Sequence, residues 1–149
     1  MVRELTNGAV GGALATAAMS AVMLAGSRVG LMPDQPPKRI ARAFLPGRKH
    51  RPKPGEGVLG AVTHVGFGAA CGTLLALVCR RRRPPALLGV GYGLAIWLVS
   101  YQGWVPWMGI LPPISADRPG RPVVMAAGHV VYGAVLVLAV NHLNDAART

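Results

Sequence analysis

Four long apolar stretches alternate with polar connectors along the chain. They cover residues 8–29, 57–79, 86–110 and 123–141. Each is close to the roughly 20 residues that an α-helix needs to cross the hydrocarbon of a bilayer. An isolated segment in that environment must satisfy its own backbone hydrogen bonds, and a helix does so. The pattern predicts an all-α fold in which residues 1–149 form one integral membrane domain, a bundle of four transmembrane helices.

The first connector carries a short pattern of its own. Pro36 and Pro37 are followed by residues 38–45, Lys-Arg-Ile-Ala-Arg-Ala-Phe-Leu. Proline favours the first turn of a helix, and apolar and basic residues would then fall on opposite faces. The pattern is typical of a helix lying on anionic lipid, although a solvated basic loop fits it as well. The basic residues expected at the lipid interface are Lys38, Arg39 and Arg42.

Two of the apolar stretches share a motif. Residues 64–69 read His-Val-Gly-Phe-Gly-Ala, and residues 129–134 read His-Val-Val-Tyr-Gly-Ala. Matching histidines at matching depth favour an internal duplication over chance similarity between apolar sequences. The motif predicts two parallel repeats of a two-span hairpin, related by an axis along the membrane normal.

Glycines recur four residues apart in these stretches, and residues at that spacing share one face of a helix. Small residues allow helix backbones to approach closely within the membrane. The sequence therefore predicts a helix-packing seam formed by Gly8, Gly12, Gly60, Gly68, Gly72 and Gly133.

The charge is strongly basic, with 16 Lys and Arg against 5 Asp and Glu and a formal net charge of +11. A soluble protein this basic would suggest nucleic-acid binding. Here only 14% of residues are charged, and they cluster between the apolar stretches, as in membrane proteins. We expect anionic lipids and no nucleic acid as partners. Most loop Lys and Arg lie on one side, but the densest run, residues 80–83, lies on the other, so the positive-inside rule leaves the orientation open.

Other side chains add little to this picture. Cys71 and Cys79 would lie about 12 Å apart along one helix, too far for a disulfide. Trp104 and Trp107 come near the end of the third stretch, where an aromatic belt at the membrane interface is expected. Motifs of soluble enzymes are absent from the sequence, and catalysis has no positive support.

His64 and His129 are the most informative polar residues, because no Asp, Glu, Lys or Arg lies deep in any span. Intramembrane ionisable residues are costly and suggest function by default. Three hypotheses remain open for them. In the first, the two histidines form structural hydrogen bonds between helices. In the second, they are the axial ligands of a haem b or ligands of a metal. In the third, they line a polar path for transport.

The features above favour a non-catalytic subunit or scaffold, which packs as a homo-oligomer or against other membrane subunits. The alternatives are a haem- or metal-binding redox protein that uses the histidine pair, and a transporter or channel protomer.

The Gly/Ala-rich first span, the Pro-Pro-Lys-Arg sequence at residues 36–39 and the His-Val-x-aromatic-Gly motif together resemble the uncharacterised, small four-span YagU-like proteins. The resemblance implies a multi-pass protein of the bacterial inner membrane with no assigned activity.

Overall fold

The computed structural model describes residues 1–80 and 82–146, and in that part of the chain it is helical without strands. Arg81, in the four-arginine run, lies outside the described residues. In chain order the elements are α1 (Val2–Arg28), α2 (Pro36–Phe44), α3 (Glu56–Val78), α4 (Ala86–Leu98), a π-helical segment (Val99–Trp104), α5 (Val105–Trp107), a 3₁₀ turn (Ile114–Ala116) and α6 (Gly120–Asp145).

Four helices are long and apolar enough to cross a membrane, which confirms the predicted all-α, four-span fold. They are α1, α3, α6 and the continuous stretch Ala86–Trp107. Helix α1 begins before the predicted 8–29, and α6 extends beyond the predicted 123–141 at both ends, because hydropathy marks the hydrocarbon and not the polar turns beside it. The third span ends earlier than the predicted residue 110. Gly109 has a φ of +64°, a left-handed conformation that commonly ends a helix.

The four spans lie in the order α3, α1, α6, α4. Helix α1 packs against both α3 and α6, and α4 packs against α6. Among the described residues, α3 and α4 scarcely touch each other. The inner pair, α1 and α6, carries most of the buried core, including Ala15, Met19, Met23, Leu136 and Val137. The bundle is therefore tight on three sides and loose between α3 and α4.

The two outer contacts both depend on glycine. A Cβ atom at Gly12 would lie 2.2 Å from the backbone oxygen of Gly68, and one at Gly133 would lie 1.9 Å from that of Gly89. Real side chains do not approach so closely, so each pair of backbones can meet only where both residues lack a Cβ. Gly8 and Gly72 extend the first contact, and Gly93 extends the second through the backbone oxygen of His129.

The short helix predicted in the first connector is present as α2, with Pro36 and Pro37 in its first turn. It packs against the start of α3, where a Cβ at Gly60 would lie 2.9 Å from the backbone oxygen of Pro37. Gly60, which was expected at a contact between two spans, lies against the backbone of this connector helix. Helix α2 is thereby held against the bundle.

Candidate functional site

A cavity of about 250 Å³ lies within the half of the bundle that contains the motif histidines. All four spans and α2 contribute to its wall, which is mostly apolar. The side chains that bear on its chemistry are His64, Phe67, Tyr101, Trp104, Met125 and His129. No Asp, Glu, Lys or Arg of the described chain lines it. The structure thus brings the two histidines to one partly open, uncharged space.

The imidazole of His129 has a defined orientation. Only 7% of the residue is exposed, and its Nδ1 lies 2.8 Å from the backbone oxygen of Met125, one turn earlier in α6. A carbonyl oxygen can only accept, so Nδ1 carries the proton in this bond. In the neutral ring, Nε2 is then an acceptor. Among the described residues, Nε2 of His129 does not form the hydrogen bond to a neighbouring helix that the structural hypothesis would require.

His64 is half-buried on α3 and forms no hydrogen bond with the described part of the chain. The hydroxyl groups around it all donate to protein oxygens: Thr16 to Gly12, Thr63 to Leu59, Ser100 to Ile96, Tyr101 to Asp117 and Tyr132 to Gly68. The imidazole of His64 and the Nε2 of His129 therefore remain as hydrogen-bonding groups for a molecule inside the cavity.

The π-helical segment forms one wall of the cavity. Its Gly103 departs from helical geometry, with φ −97° and ψ −107°. Such widened turns are frequent at functional sites, and here Tyr101 and Trp104 both line the cavity. Trp104, which was predicted to lie at the membrane interface, is half-buried and faces the cavity. Trp107 is 86% exposed, as a residue of an interfacial belt would be.

Tyr101 is held from behind by two charged residues that the sequence analysis did not single out. Its hydroxyl donates to Asp117, and Arg121 Nη1 lies 2.6 Å from the other carboxylate oxygen of Asp117. Burial alone would raise the pKa of Asp117, but the hydrogen bonds from Tyr101 and Arg121 outweigh it, so the pKa lies below its usual value. The only sequence signal was the spacing of four between Asp117 and Arg121.

We expect Asp117→Asn to lower the free energy of unfolding at neutral pH by about 2 kcal/mol, because charge-assisted hydrogen bonds are lost. The lowered pKa means that Asp117 contributes its stability above the unfolded value of about 3.9 and loses it as the pH falls through the folded value. Unfolding of detergent-solubilised protein between pH 7 and pH 3 measures both effects. The variant should show a flatter acid limb than wild type. Asp145→Asn, which removes an exposed pair with Arg83, is the control, and an equal loss there would contradict the prediction.

Helix α2 covers the cavity with Pro36, Pro37 and Ile40. It is fixed by Arg42, whose Nε lies 2.7 Å from Glu56 Oε2 and whose Nη2 lies 2.8 Å from Glu56 Oε1. The bond to Glu56 raises the pKa of Arg42. Arg42, which was predicted to lie at the lipid interface, is thus only 8% exposed and is paired with Glu56.

The other two basic residues of α2 are also paired within the chain. Lys38 Nζ lies 3.4 Å from Glu56 Oε1, and Arg39 Nε lies 3.8 Å from Asp34 Oδ2. Phe44, at the end of α2, is 64% exposed. All three basic residues of α2 are therefore paired with carboxylates of the same chain.

Two tyrosines, one on α6 and one on α4, donate hydrogen bonds to backbone oxygens of α3 toward the far end of the cavity. Tyr132 donates to the backbone oxygen of Gly68 at 2.7 Å, and Tyr92 donates to that of Cys71 at 2.8 Å. Cys71 and Cys79 are free thiols. The described residues contain no group of three or more His, Cys, Asp and Glu that could hold a metal ion. The histidine pair thus stands as the polar centre of an apolar site.

Comparisons with known proteins agree with the prediction that the chain belongs to an uncharacterised family. No curated protein and no solved structure matches the chain. No link to the YagU-like proteins is found, whereas a family model described as a family of unknown function (DUF6789) matches residues 2–149. Its match spans nearly the whole chain, including all four membrane helices and the cavity between them. The chain therefore belongs to the DUF6789 family.

Proposed function

We propose that this protein binds a neutral, apolar small molecule of the membrane and holds a hydroxyl or carbonyl group of that molecule between His64 and His129. One observation carries the proposal. The two intramembrane histidines line the same uncharged cavity, and both retain hydrogen-bonding capacity toward it. Ligand pockets of this kind combine an apolar wall with a few placed polar groups.

The lining restricts the chemistry of the ligand. A phosphate, carboxylate or ammonium group would be buried without a counter-ion, at a cost of several kcal/mol. A hydroxyl can donate to Nε2 of His129, and a carbonyl can accept from a ring N–H of His64. Phe67, Tyr101 and Trp104 offer aromatic surfaces to a flat ring. A quinone or an isoprenoid alcohol has the required character.

The loose contact between α3 and α4 supplies a route from the bilayer. These helices flank the cavity with Phe67 and Ile96, and Phe67 is 47% exposed. An apolar molecule dissolved in the membrane reaches such a gap without crossing water. Its tail then remains in contact with lipid while its polar end lies between the histidines.

We expect a short-chain quinone to quench the tryptophan fluorescence of the purified protein saturably, because Trp104 lines the cavity. His64→Leu and His129→Leu should each weaken binding about tenfold, which corresponds to the loss of one buried hydrogen bond. His142→Leu, at the exposed end of α6, is the matched control and should bind as wild type does. Equal binding by all four proteins, or equal quenching by a fatty-acid anion of similar size, would contradict the proposal.

Haem binding is the second candidate, because a ligating histidine commonly donates its other ring N–H to a backbone carbonyl, as His129 does. Against it, the whole ring of a haem would have to enter a cavity of about 250 Å³, whereas the ligand proposed above leaves its tail in the lipid. Its lining also offers no cation for the haem propionates. A haem-loaded preparation would show a Soret band that is lost in His64→Ala and kept in His142→Ala.

The scaffold hypothesis stays a prediction, and the predicted seam glycines add no support to it. Gly8, Gly12, Gly68 and Gly72 pack α1 against α3 within one chain, and Gly133 packs α6 against α4. These glycines are not free to meet another subunit. A transporter remains compatible with a ligand cavity, and uptake by proteoliposomes of a quinone that wild type binds would add transport to binding.

The proposal also includes two predictions from the sequence, which are a location in the bacterial inner membrane and an internal duplication. A multi-pass protein of this composition suits a bacterial inner membrane, and a topology reporter fused at each connector tests the location and orientation. The duplication is supported by the related contacts Gly12–Gly68 and Gly89–Gly133. In both hairpins, a glycine four residues after the motif histidine packs against the preceding span.

A further inference from the structure

A second cavity, of about 170 Å³, lies at the opposite end of the bundle from the histidines. It is formed where the turn after α3 meets the start of α1 and the end of α6. Four described arginines line it together with two carboxylates, those of Glu4 and Asp145. The arginines are Arg3, Arg80, Arg82 and Arg83.

Two of the arginines hold the turn in place. Arg80 Nε lies 3.1 Å from Glu4 Oε2 on α1, and Arg83 pairs with Asp145 at the end of α6. Asn141 Nδ2 adds a hydrogen bond to the backbone oxygen of Pro84 at 3.1 Å. The turn is therefore clamped on both sides, and the rim of the cavity is fixed by contacts within the chain.

Arg3 and Arg82 take no part in the contacts that hold this turn. Neither forms an ion pair or hydrogen bond through its side chain within the described residues. Two guanidinium groups thus line one cavity whose carboxylates are already engaged. The arrangement suits a ligand that carries negative charge, since guanidinium groups bind phosphate oxygens with favourable geometry.

We propose that this second cavity binds the phosphate group of an anionic glycerophospholipid, through Arg3 and Arg82. Its floor is apolar, formed by Leu75, Ala76 and Val140, which a free phosphate ion would leave unused. The neighbouring surface is also apolar, with Val2 77% and Val78 75% exposed. Acyl chains can lie along that surface while the headgroup enters the cavity at the level of the bilayer interface. This site is separate from the lipid interface that the sequence predicts at Lys38, Arg39 and Arg42.

Lipid binding to the detergent-purified full chain tests this inference. Phosphatidylglycerol is titrated against phosphatidylcholine and read by native mass spectrometry. We expect each guanidinium to contribute about fivefold in affinity, so that Arg3→Gln/Arg82→Gln weakens phosphatidylglycerol binding about 20-fold. Arg48→Gln/Arg51→Gln removes the same charge from exposed positions in the first connector and should bind within about twofold of wild type.

Three outcomes would overturn the inference. They are equal affinities for the two lipids, equal losses in the two double variants, and displacement of the lipid by millimolar inorganic phosphate, which would indicate a site for the free ion. Unchanged thermal unfolding of both variants confirms that any loss of binding is local. The test does not involve the histidine cavity, so its outcome is independent of the proposed function.

Discussion

Gly133→Ala should lower the free energy of unfolding by about 3 kcal/mol or more, since the added methyl group overpacks a contact that has no room for it. Its Cβ would lie 1.9 Å from the backbone oxygen and 2.5 Å from the backbone carbon of Gly89. Backbone atoms cannot rotate away as a side chain can, so α4 must separate from α6. Unfolding in mixed micelles, followed by circular dichroism, measures the loss.

Gly91→Ala provides the matched control for this substitution. Gly91 lies on α4, two residues from Gly89, and a Cβ there would have nothing within 4 Å. Alanine is the better helix former, so we expect the stability to stay unchanged or rise by up to about 1 kcal/mol. If Gly133→Ala proves as stable as Gly91→Ala, then α4 and α6 do not pack through glycine as described.

Arg42→Met is the other substitution with a large expected effect. It leaves Glu56 with 5% of its side chain exposed and without its bidentate partner. Breaking a buried ion pair from one side costs about 3–5 kcal/mol. We expect α2 to detach from α3 before the spans unfold, which hydrogen exchange of the amides in residues 36–44 would detect. Arg48→Met, at an exposed position of the same connector, should leave that exchange unchanged.

A second variant separates the ion pair from the bulk of the side chain. Arg42→Met/Glu56→Leu removes both charges and keeps an apolar contact, and replacement of a whole buried pair by apolar residues is often neutral. We expect the double variant to recover most of the protection of α2. Failure to recover would show that the charges of Arg42 and Glu56 are not what holds this helix.

The sequence was sufficient for the spans and for much of their packing. Long apolar stretches have one stable backbone conformation in lipid, so α1, α3 and α6 follow from hydropathy alone. The contact of Gly12 with Gly68 follows from their spacing with Gly8 and Gly72, because regular spacing on a helix defines one face. Gly89 and Gly93 have the same spacing, but their contacts with α6 were not predicted.

The cavity could be predicted only in part. The depth of His64 and His129 within their spans could be predicted, because it depends only on their position along each helix. Their shared cavity depends on α3 and α4 staying apart, which no local pattern encodes. The inward turn of Arg42 depends on Glu56, 14 residues further along the chain. The support of Tyr101 by Asp117 depends likewise on how the third connector folds back.

The arrangement of the helices explains why the histidine cavity lies where it does. Tight glycine contacts hold α3 to α1 and α4 to α6, and the inner helices α1 and α6 pack over their length. Only the gap between α3 and α4 remains, and α2 covers it on the side of the histidines. The ligand that we propose would occupy that space.

Analysis of the molecules that co-purify with the protein decides whether the histidine cavity is a binding site. Protein from its native membrane is extracted with organic solvent, and the extract is quantified by mass spectrometry beside Ser100→Phe, in which the larger side chain fills the cavity. We expect about one neutral, apolar molecule per chain in wild type, because a pocket of this kind holds a single ligand. The variant should contain much less of that molecule. No enriched neutral molecule in wild type, or the same amount in a folded Ser100→Phe, would contradict the proposal.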